Sequence, residues 1–233
     1  MPATTAGRST DRRNITMSQP LPTPRVDRAT MADVFGEDDL DTVAEEAAEQ
    51  ISHAPTRVFL TTVGLPDQED TQGWFHRVED LTEEVEDKGW PGLGEKYPEV
   101  ADDFHFDEWV TLGEIPYDSI NVDASTGVVY ATSDDGGEPY LLNTSLEVFA
   151  YLICVTEAER PFYEGPEEDF EEPGYEEQVE ARLERLYGMP YEQVGPTAAD
   201  RLRATIERTD PVALARPDSI WHQVVRHITG GLH

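Results

Sequence analysis

The sequence has little cysteine, little positive charge and no long apolar run, and each shortage excludes a class of protein. Its single cysteine, Cys154, rules out an internal disulfide and every zinc or iron–sulfur site that needs several cysteines. The longest apolar run, Val148 to Val155, has eight residues, whereas a membrane-spanning helix needs roughly 20. The first residues also lack the apolar stretch of a secretory signal. We therefore expect a cytoplasmic protein that does not contact a membrane.

The motifs of common catalytic sites are missing as well. The sequence contains no Gly-x-Ser-x-Gly turn for a nucleophilic serine and no glycine-rich loop for phosphate groups. Cys154 lies inside the apolar run, where a thiol is inert. Because the chain has 49 acidic residues, a pair of carboxylates carries no information about catalysis. The sequence predicts no cofactor and no enzymatic activity, and an enzyme is the least favoured of three interpretations.

Two patterns of possible metal ligands are weak. His222 and His227 are five residues apart, so they lie about 140° apart around a helix and cannot share one ion. Asp103, His105 and Asp107 alternate and would share one face of a strand. A solvated face explains this alternation without a metal. We therefore expect no bound metal ion.

Negative charge is the dominant property of the chain, with 49 acidic residues against 17 basic ones and a formal net charge of −32. Residues 1–30 contain five arginines and two aspartates, hence +3, and the remainder contains 12 basic and 47 acidic residues, hence −35. Such a field repels phosphate backbones and anionic membranes and attracts basic proteins. The sequence therefore predicts a basic protein partner and no direct binding of nucleic acid, although solubility alone also explains acidity.

The pattern of apolar residues predicts one α+β domain over residues 31–233. Residues 1–28 are rich in Pro, Ser, Thr and Arg and lack any period, so we expect a disordered tail, in which Met17 is an alternative start. A first helix is expected from Leu40 to Ile51, a second ending at Gly64, and a third over Val78 to Val85. Later helices are expected around Val179, Leu183 and Leu186, over 197–208 and over 218–229.

From Trp109 the apolar period changes to two, which is typical of strands. Strands are expected at 110–112, 120–123, 128–130 and 140–142, with glycine-containing turns between them. A helix follows, capped within Asn143-Thr144-Ser145. The predicted fold is a small antiparallel β-meander flanked by helices that cover one of its faces.

The residues between Tyr163 and Glu180 form an acidic stretch with nine acidic residues, no basic residue and several aromatic residues. Aromatic residues are enriched at the centres of protein interfaces, so this stretch is the leading candidate for partner contact, and a solvated loop is the alternative. Its candidate contact residues are Tyr163, Glu164, Glu167, Glu168, Asp169, Phe170, Glu171, Glu172 and Tyr175. A second candidate surface combines the turn residues Asp134, Asp135 and Tyr140 with Trp74 and Trp90.

Four segments resemble the SUKH immunity superfamily, the relatives of the fungal Smi/Knr proteins, and particularly its fourth family. They are Thr56 to Pro66, a helix closed by Gly-Leu-Pro; Ile120 to Tyr130, a hairpin; Leu142 to Phe149, a strand entering a capped helix; and Asp210 to Leu214 followed by Trp221. The resemblance implies the SUKH fold and a cytoplasmic antitoxin that binds and blocks a polymorphic toxin, often a nuclease or deaminase.

The family supplies no catalytic residues to carry over to this chain. Its motif positions here are Gly64, Pro66, Asp123, Gly127, Tyr130, Asn143 and Ser145, and turn and cap chemistry gives most of them a structural role. We expect an immunity protein that blocks a nucleic-acid-acting toxin by stoichiometric binding. The alternative is an acidic scaffold or regulatory module of the same fold that recruits a basic partner.

Overall fold

The computed structural model describes residues 26–66, 73–90, 92–116, 118–133, 136–164 and 174–230. Its helices are α1 Arg28–Phe35, α2 Glu45–Ala48, α3 Ala54–Thr62, α4 Leu81–Glu86, α5 Leu93–Lys96, α6 Leu146–Ala158, α7 Tyr175–Tyr187, α8 Ala198–Thr209 and α9 Ile220–Ile228. Its strands are β1 Leu40–Asp41, β2 Leu65–Pro66, β3 His76–Arg77, β4 Trp109–Ile115, β5 Asp118–Asp123, β6 Val129–Ser133 and β7 Tyr140–Asn143. The predicted α+β class with an antiparallel sheet and flanking helices is confirmed.

The main sheet has five antiparallel strands in the order β3-β4-β5-β6-β7, and β1 pairs with β2 in a separate two-stranded sheet. Each of the four predicted strands is present. Neighbouring strands pair antiparallel, for example Val110 with Val122 and Val122 with Val129, and the register shifts once in the β4–β5 pair and once in the β6–β7 pair. The edge strand β3 was not predicted, because two residues are too few to show an alternating pattern.

Helix α6 forms the centre of the core. Ser145 caps it, because its hydroxyl accepts a hydrogen bond from the backbone N–H of Val148 (3.3 Å). Eleven of its 13 residues are buried, which is typical of a helix surrounded by protein on all sides. It contacts α1, α3, α7, α8 and β7. Phe149 lies between Phe75 and Trp221, with ring centroids 5.4 Å and 6.4 Å away.

The expected helix from Leu40 to Ile51 was wrong. The structure has the two-residue strand β1 there, followed by the short helix α2. Leu40 is buried because it pairs with Pro66 across the small sheet, and the ion pair between Asp41 and Arg77 (2.9 Å) further ties β1 to the main sheet. These tertiary contacts outweigh the helical spacing of the apolar residues.

The folded part begins earlier than the expected boundary at residue 28. Residues 1–25 lie outside the described residues, but Val26 is buried and Asp27 caps α1, accepting a hydrogen bond from the Thr30 N–H (2.8 Å). Arg28 donates to the carbonyl of Val63 (3.1 Å). Met31 is fully buried against α6, with its sulfur 3.1 Å from Cys154 Sγ. The folded part therefore includes the last three residues of the expected tail, and α1 begins at the last of them.

A buried ion pair joins the end of α6 to two of the helices that surround it. Arg201 on α8 donates two hydrogen bonds of 2.6 Å to Glu159, which follows α6, and the hydroxyl of Tyr187 on α7 also donates to Glu159. The Arg201 guanidinium in addition lies 4.9 Å from the ring centroid of Tyr191. Because both charges are buried and paired, removing either one would leave the other without compensation.

The two faces of the main sheet are both covered, whereas the sequence pattern suggested one. The inner face carries Val110, Leu112, Ile120 and Val122 and packs against the main core. The outer face is covered by the segment 88–108, which includes α5 and a short 3-10 turn, Phe106–Glu108. A separate cluster fills this outer layer: Leu93, Tyr97, Phe106 and Trp109, with Trp90, Val100, Ala101, Phe104 and Tyr130 packed against it.

Candidate partner-binding surface

Helices α2 and α4 contact each other and together expose a carboxylate-rich surface. The backbone N–H of Ala44, which precedes α2, donates to the Thr82 hydroxyl on α4 (3.2 Å). Asp80 caps α4 by accepting from the N–H groups of Thr82 and Glu83. We call the carboxylates of the two helices and of the residue that caps the C-terminus of each the α2–α4 acidic surface: Glu45, Glu46, Glu49, Glu83, Glu84, Glu86 and Asp87.

The α2–α4 acidic surface has no basic residue on either helix to offset its charge. Burial, followed by the neighbouring charges of Glu83 and Asp87, raises the pKa of Glu84. Arg57 is engaged elsewhere, donating to the carbonyl of Ile51 (3.3 Å). The high density of Asp and Glu is apparent from the sequence alone, but the contact between the two helices is apparent only from the structure.

The predicted acidic stretch is described only at its two ends. Glu164 is exposed, and α7 begins at Tyr175 with Glu176 and Glu177 exposed in its first turn. The candidate contact residues between these ends lie outside the described residues: Glu167, Glu168, Asp169, Phe170, Glu171 and Glu172. Their role in partner contact therefore stays a prediction.

The two aromatic residues at the ends of the stretch are half-buried. The hydroxyl of Tyr163 accepts a hydrogen bond from Trp74 Nε1 (3.0 Å) and donates to the carbonyl of Thr156 (3.2 Å). Burial raises the pKa of Tyr163. Tyr175 packs against the main core. These rings anchor the ends of the acidic stretch to the folded part.

A third tyrosine, Tyr191, contacts the C-terminal end of the acidic stretch. Tyr191 donates a hydrogen bond of 2.7 Å to Glu180, and this bond, followed by burial, raises the pKa of Tyr191 to about 12. The carboxylate of Glu180 therefore has a partner within the chain.

The second candidate surface is divided by the structure. Tyr140 is 7% exposed, and its hydroxyl donates to Asp118 (3.2 Å) and accepts from the N–H of Ile220 (3.1 Å). It therefore belongs to the core, contrary to the expectation of an exposed ring. Trp74 packs against the main core and Trp90 against the outer cluster, and Asp134 and Asp135 lie outside the described residues. The three described aromatic residues of this set therefore do not form one exposed surface.

The motif glycines lie where the chain passes so close to its neighbours that a side chain would not fit. Gly64 ends α3 with φ of +82°, and a Cβ there would lie 2.1 Å from the carbonyl oxygen of Asp41. Its absence allows Pro66 to pair with β1. Gly127, with φ of +77°, approaches the ring of His53 in the same way. These motif positions serve close backbone packing.

Two polar motif residues organise the sheet and its junctions. Asp123 is buried and accepts hydrogen bonds from Ser125 and Thr126. Burial alone would raise the pKa of Asp123, but these hydrogen bonds hold it below its usual value. Tyr130 stacks on Trp109 with ring centroids 4.9 Å apart.

Asn143 connects two of the four motif segments. Its side chain donates to Asp210 (2.9 Å) and accepts from the Trp221 indole N–H (3.0 Å). Asp210 also accepts from the backbone N–H of Thr144 (2.9 Å). The strand entering α6 is thus bound to the segment that precedes α9. The motifs are visible in the sequence, but this contact between them is not.

Among the described residues, no three side chains of His, Cys, Asp or Glu are placed to hold a metal ion. His105 lies beside Asp123, with Nδ1 3.3 Å from its carboxylate, and burial raises the pKa of the Cys154 thiol. In the same part of the chain, no helix is both long and apolar enough to traverse a bilayer.

The comparison with known proteins agrees with this arrangement of motifs. No curated protein and no solved structure matches the chain. The sequence model of the SUKH-4 immunity protein family matches residues 26–227. This range begins at the buried Val26 and includes the α2–α4 acidic surface, the main sheet and most of α9. The chain therefore belongs to the SUKH-4 immunity protein family.

Proposed function

We propose that this protein is an antitoxin that neutralises a cognate polymorphic toxin by binding it and blocking its action. The match to an immunity protein family over residues 26–227 carries this proposal. An immunity protein acts by occupying its partner, so we propose no substrate turnover, no cofactor and a cytoplasmic site of action.

The charge of the chain supports a basic toxin that acts on nucleic acid. A toxin of this kind needs a basic groove for phosphate groups. The α2–α4 acidic surface presents seven carboxylates on two packed helices, and the chain after residue 30 carries a formal charge of −35. Such a protein can occupy the groove in place of phosphates and associate rapidly through electrostatic steering. It would not bind nucleic acid itself.

The contact region that we propose consists of the α2–α4 acidic surface together with the acidic stretch. The stretch supplies further carboxylates, and Tyr163 and Tyr175 hold its ends against the folded part. An acidic scaffold that recruits a basic protein without inhibiting it is the second candidate, because a carboxylate-rich surface fits that role equally well.

The deciding experiment is calorimetric titration of the full chain with the toxin domain encoded beside its gene, at low and high salt, together with an assay of toxin activity. We expect tight one-to-one binding that weakens as salt rises and a loss of toxin activity at equimolar antitoxin. Tight binding indifferent to salt would keep the immunity role and move the interface to an apolar face. Binding without inhibition would favour the scaffold, and absence of binding would overturn the proposal.

A further inference from the structure

A cleft of about 400 Å³ opens on the outer layer of the main sheet. Its aromatic walls are Trp90, Phe104 and Phe106, and its floor includes Gly94. Lys88 and Asp107 lie at its polar end. The volume falls within the range of pockets that take a small ligand or one long side chain.

The aromatic walls of the cleft are fixed before any partner arrives. Trp90 Nε1 donates to the Thr111 hydroxyl (2.9 Å), which donates in turn to Asn121 (3.1 Å) on β5. Phe104 stacks on Phe106, with ring centroids 5.4 Å apart. Trp90 and Phe104 nevertheless remain half-buried, so their rings are accessible from the cleft. A ligand would meet preorganised aromatic surfaces.

The polar end of the cleft favours a cation. The Lys88 ammonium forms an ion pair of 2.6 Å with Glu108, which neutralises its charge. Asp107 is exposed, and the exposed Asp102 and Asp103 precede it closely in the chain. An aromatic cleft with surplus negative charge matches the guanidinium group, which stacks on aromatic rings and binds carboxylates at the same time.

We propose that the cleft receives an arginine side chain of the protein partner. The proposal rests on the proposed function for the existence of that partner, but the recognition chemistry is a property of the cleft itself. The chain uses the same contact internally, where the Arg216 guanidinium lies 4.8 Å from the ring centroid of Tyr140. The cleft is close to the α2–α4 acidic surface, because its lining residues Lys88, Gly89 and Trp90 come within three residues of Asp87, which caps the end of α4. The arginine would thus anchor a partner that the carboxylates attract.

The direct test uses blocked tripeptides of the form Gly-Xaa-Gly and the full chain labelled with ¹⁵N. The probe residue is arginine, lysine, citrulline or leucine, and the indole N–H resonance of Trp90 reports binding. We expect the arginine peptide to shift this resonance saturably, the lysine peptide to bind more weakly, and the other two to have no effect. No shift, an equal response to citrulline or lysine, or a preference for leucine would overturn the proposal.

Two variants and a matched control locate the site of binding. A Cβ at Gly94 would contact Ala101 and Phe106 at 3.8 Å and 4.0 Å, which are ordinary distances, so Gly94→Leu should fill the cleft without disrupting the fold. It should abolish the response. Asp107→Asn should weaken the arginine peptide about two- to fivefold, as expected for an exposed ion pair. Glu207→Gln makes an equal change of charge at an exposed site on α8, and it should leave the affinity for the arginine peptide unchanged. Thermal melting confirms that each variant is folded.

Titration with the toxin domain separates this proposal from the proposed function. If the wild-type chain binds toxin and Gly94→Leu weakens that binding, both proposals are supported. Equal toxin binding by Gly94→Leu and the wild type would overturn the arginine cleft and leave the antitoxin role intact. A selective response to the arginine peptide without toxin binding would support the cleft chemistry and overturn the antitoxin role.

Discussion

The two faces of the main sheet differ in both composition and cover. The inner face presents aliphatic residues to α6, a helix of 13 residues that is buried on all sides. The outer face presents Trp109, Thr111, Asn121 and Tyr130 to short elements, of which α5 has only four residues. One face is therefore covered by a long apolar helix, and the other by a thin aromatic layer with a polar network beneath it.

This difference suggests that the inner face mainly stabilises the fold and that the outer layer is suited to binding a partner. The free energy gained by burying apolar groups is roughly proportional to the area removed from water. The inner face should therefore supply most of the free energy of folding. The outer layer leaves aromatic rings accessible beside carboxylates, an arrangement that is costly for a core but suited to contact with a partner. Substitutions on the two faces should therefore have different consequences, and we rank four predictions by the size of the expected effect.

The largest loss of stability is expected for Phe149→Ala on the inner side. The side chain is fully buried between Phe75 and Trp221, and its removal leaves a cavity that costs about 3–5 kcal/mol. Urea unfolding followed by circular dichroism measures the change. Val58→Ala on α3 is the control, because Val58 is 58% exposed and should change stability by less than about 0.5 kcal/mol. Similar losses for both variants would refute the central role of α6.

A smaller loss is expected for Asn121→Ala on the outer side. Asn121 is fully buried, accepts from Thr111 and donates to the carbonyl of Ser119. Unpaired groups left behind should cost about 1–3 kcal/mol. Because Thr111 also accepts from Trp90, the same variant should loosen the cleft and weaken the response to the arginine peptide. An unchanged response would show that Trp90 is held by its packing alone.

The stabilisation that ionised Asp123 gives to the fold should be lost only in acid. Hydrogen bonds hold the pKa of Asp123 below its usual value, so the ionised group stabilises the fold above the unfolded pKa of about 3.9. That stabilisation is lost as the pH falls through the lower, folded pKa. Stability of Asp123→Asn should therefore depend less steeply on pH below about 4 than that of the wild type. Parallel profiles in urea unfolding at a series of pH values would contradict this.

The smallest effect on stability is expected for charge removal from the surface. Two sets of five acidic residues are replaced by glutamine, one on the α2–α4 acidic surface and one in the acidic stretch. Each single replacement should change the free energy of unfolding by less than about 0.5 kcal/mol. The α2–α4 set as a whole should nevertheless slow association with the toxin and flatten the salt dependence of the association rate. This set comprises Glu45, Glu46, Glu49, Glu83 and Glu86. The matched set, with the same change of charge in the acidic stretch, comprises Glu167, Glu168, Asp169, Glu171 and Glu172.

Stopped-flow kinetics distinguishes the two regions. If both regions contact the toxin, as we propose, each set should slow association, and a set that leaves the association rate unchanged lies outside the interface. If neither set changes the association rate, the acidity serves only solubility.

The parts of the fold that the sequence predicted are those encoded locally. Period-two apolar residues specified the strands from Trp109 onward, and the cap at Ser145 specified the start of α6. Strands of two residues have no period, so β1, β2 and β3 were missed, and with them the break in the expected helix after Leu40. Their positions depend on pairing with distant residues.

The candidate surface was predictable in composition but not in arrangement. Acidic and aromatic residues are visible in the sequence, yet their assembly depends on tertiary contacts. Trp74 and Trp90 were placed together, but one bonds to Tyr163 and the other to Thr111. Phe104, Phe106 and Asp107 were not grouped as a site, because only the outer layer of the sheet brings them around one cleft.

The contact between Asn143 and Trp221 has a consequence for the timing of synthesis. The two residues are 78 positions apart, so ribosomes adding roughly 5–20 residues per second make them about 4–16 s apart. During that interval the amide of Asn143 and the end of β7 are without the segment that closes over them. The nascent chain should therefore complete its native structure only after Trp221 has left the ribosomal exit tunnel. Helper chaperones, if they act on this protein, would act in that interval.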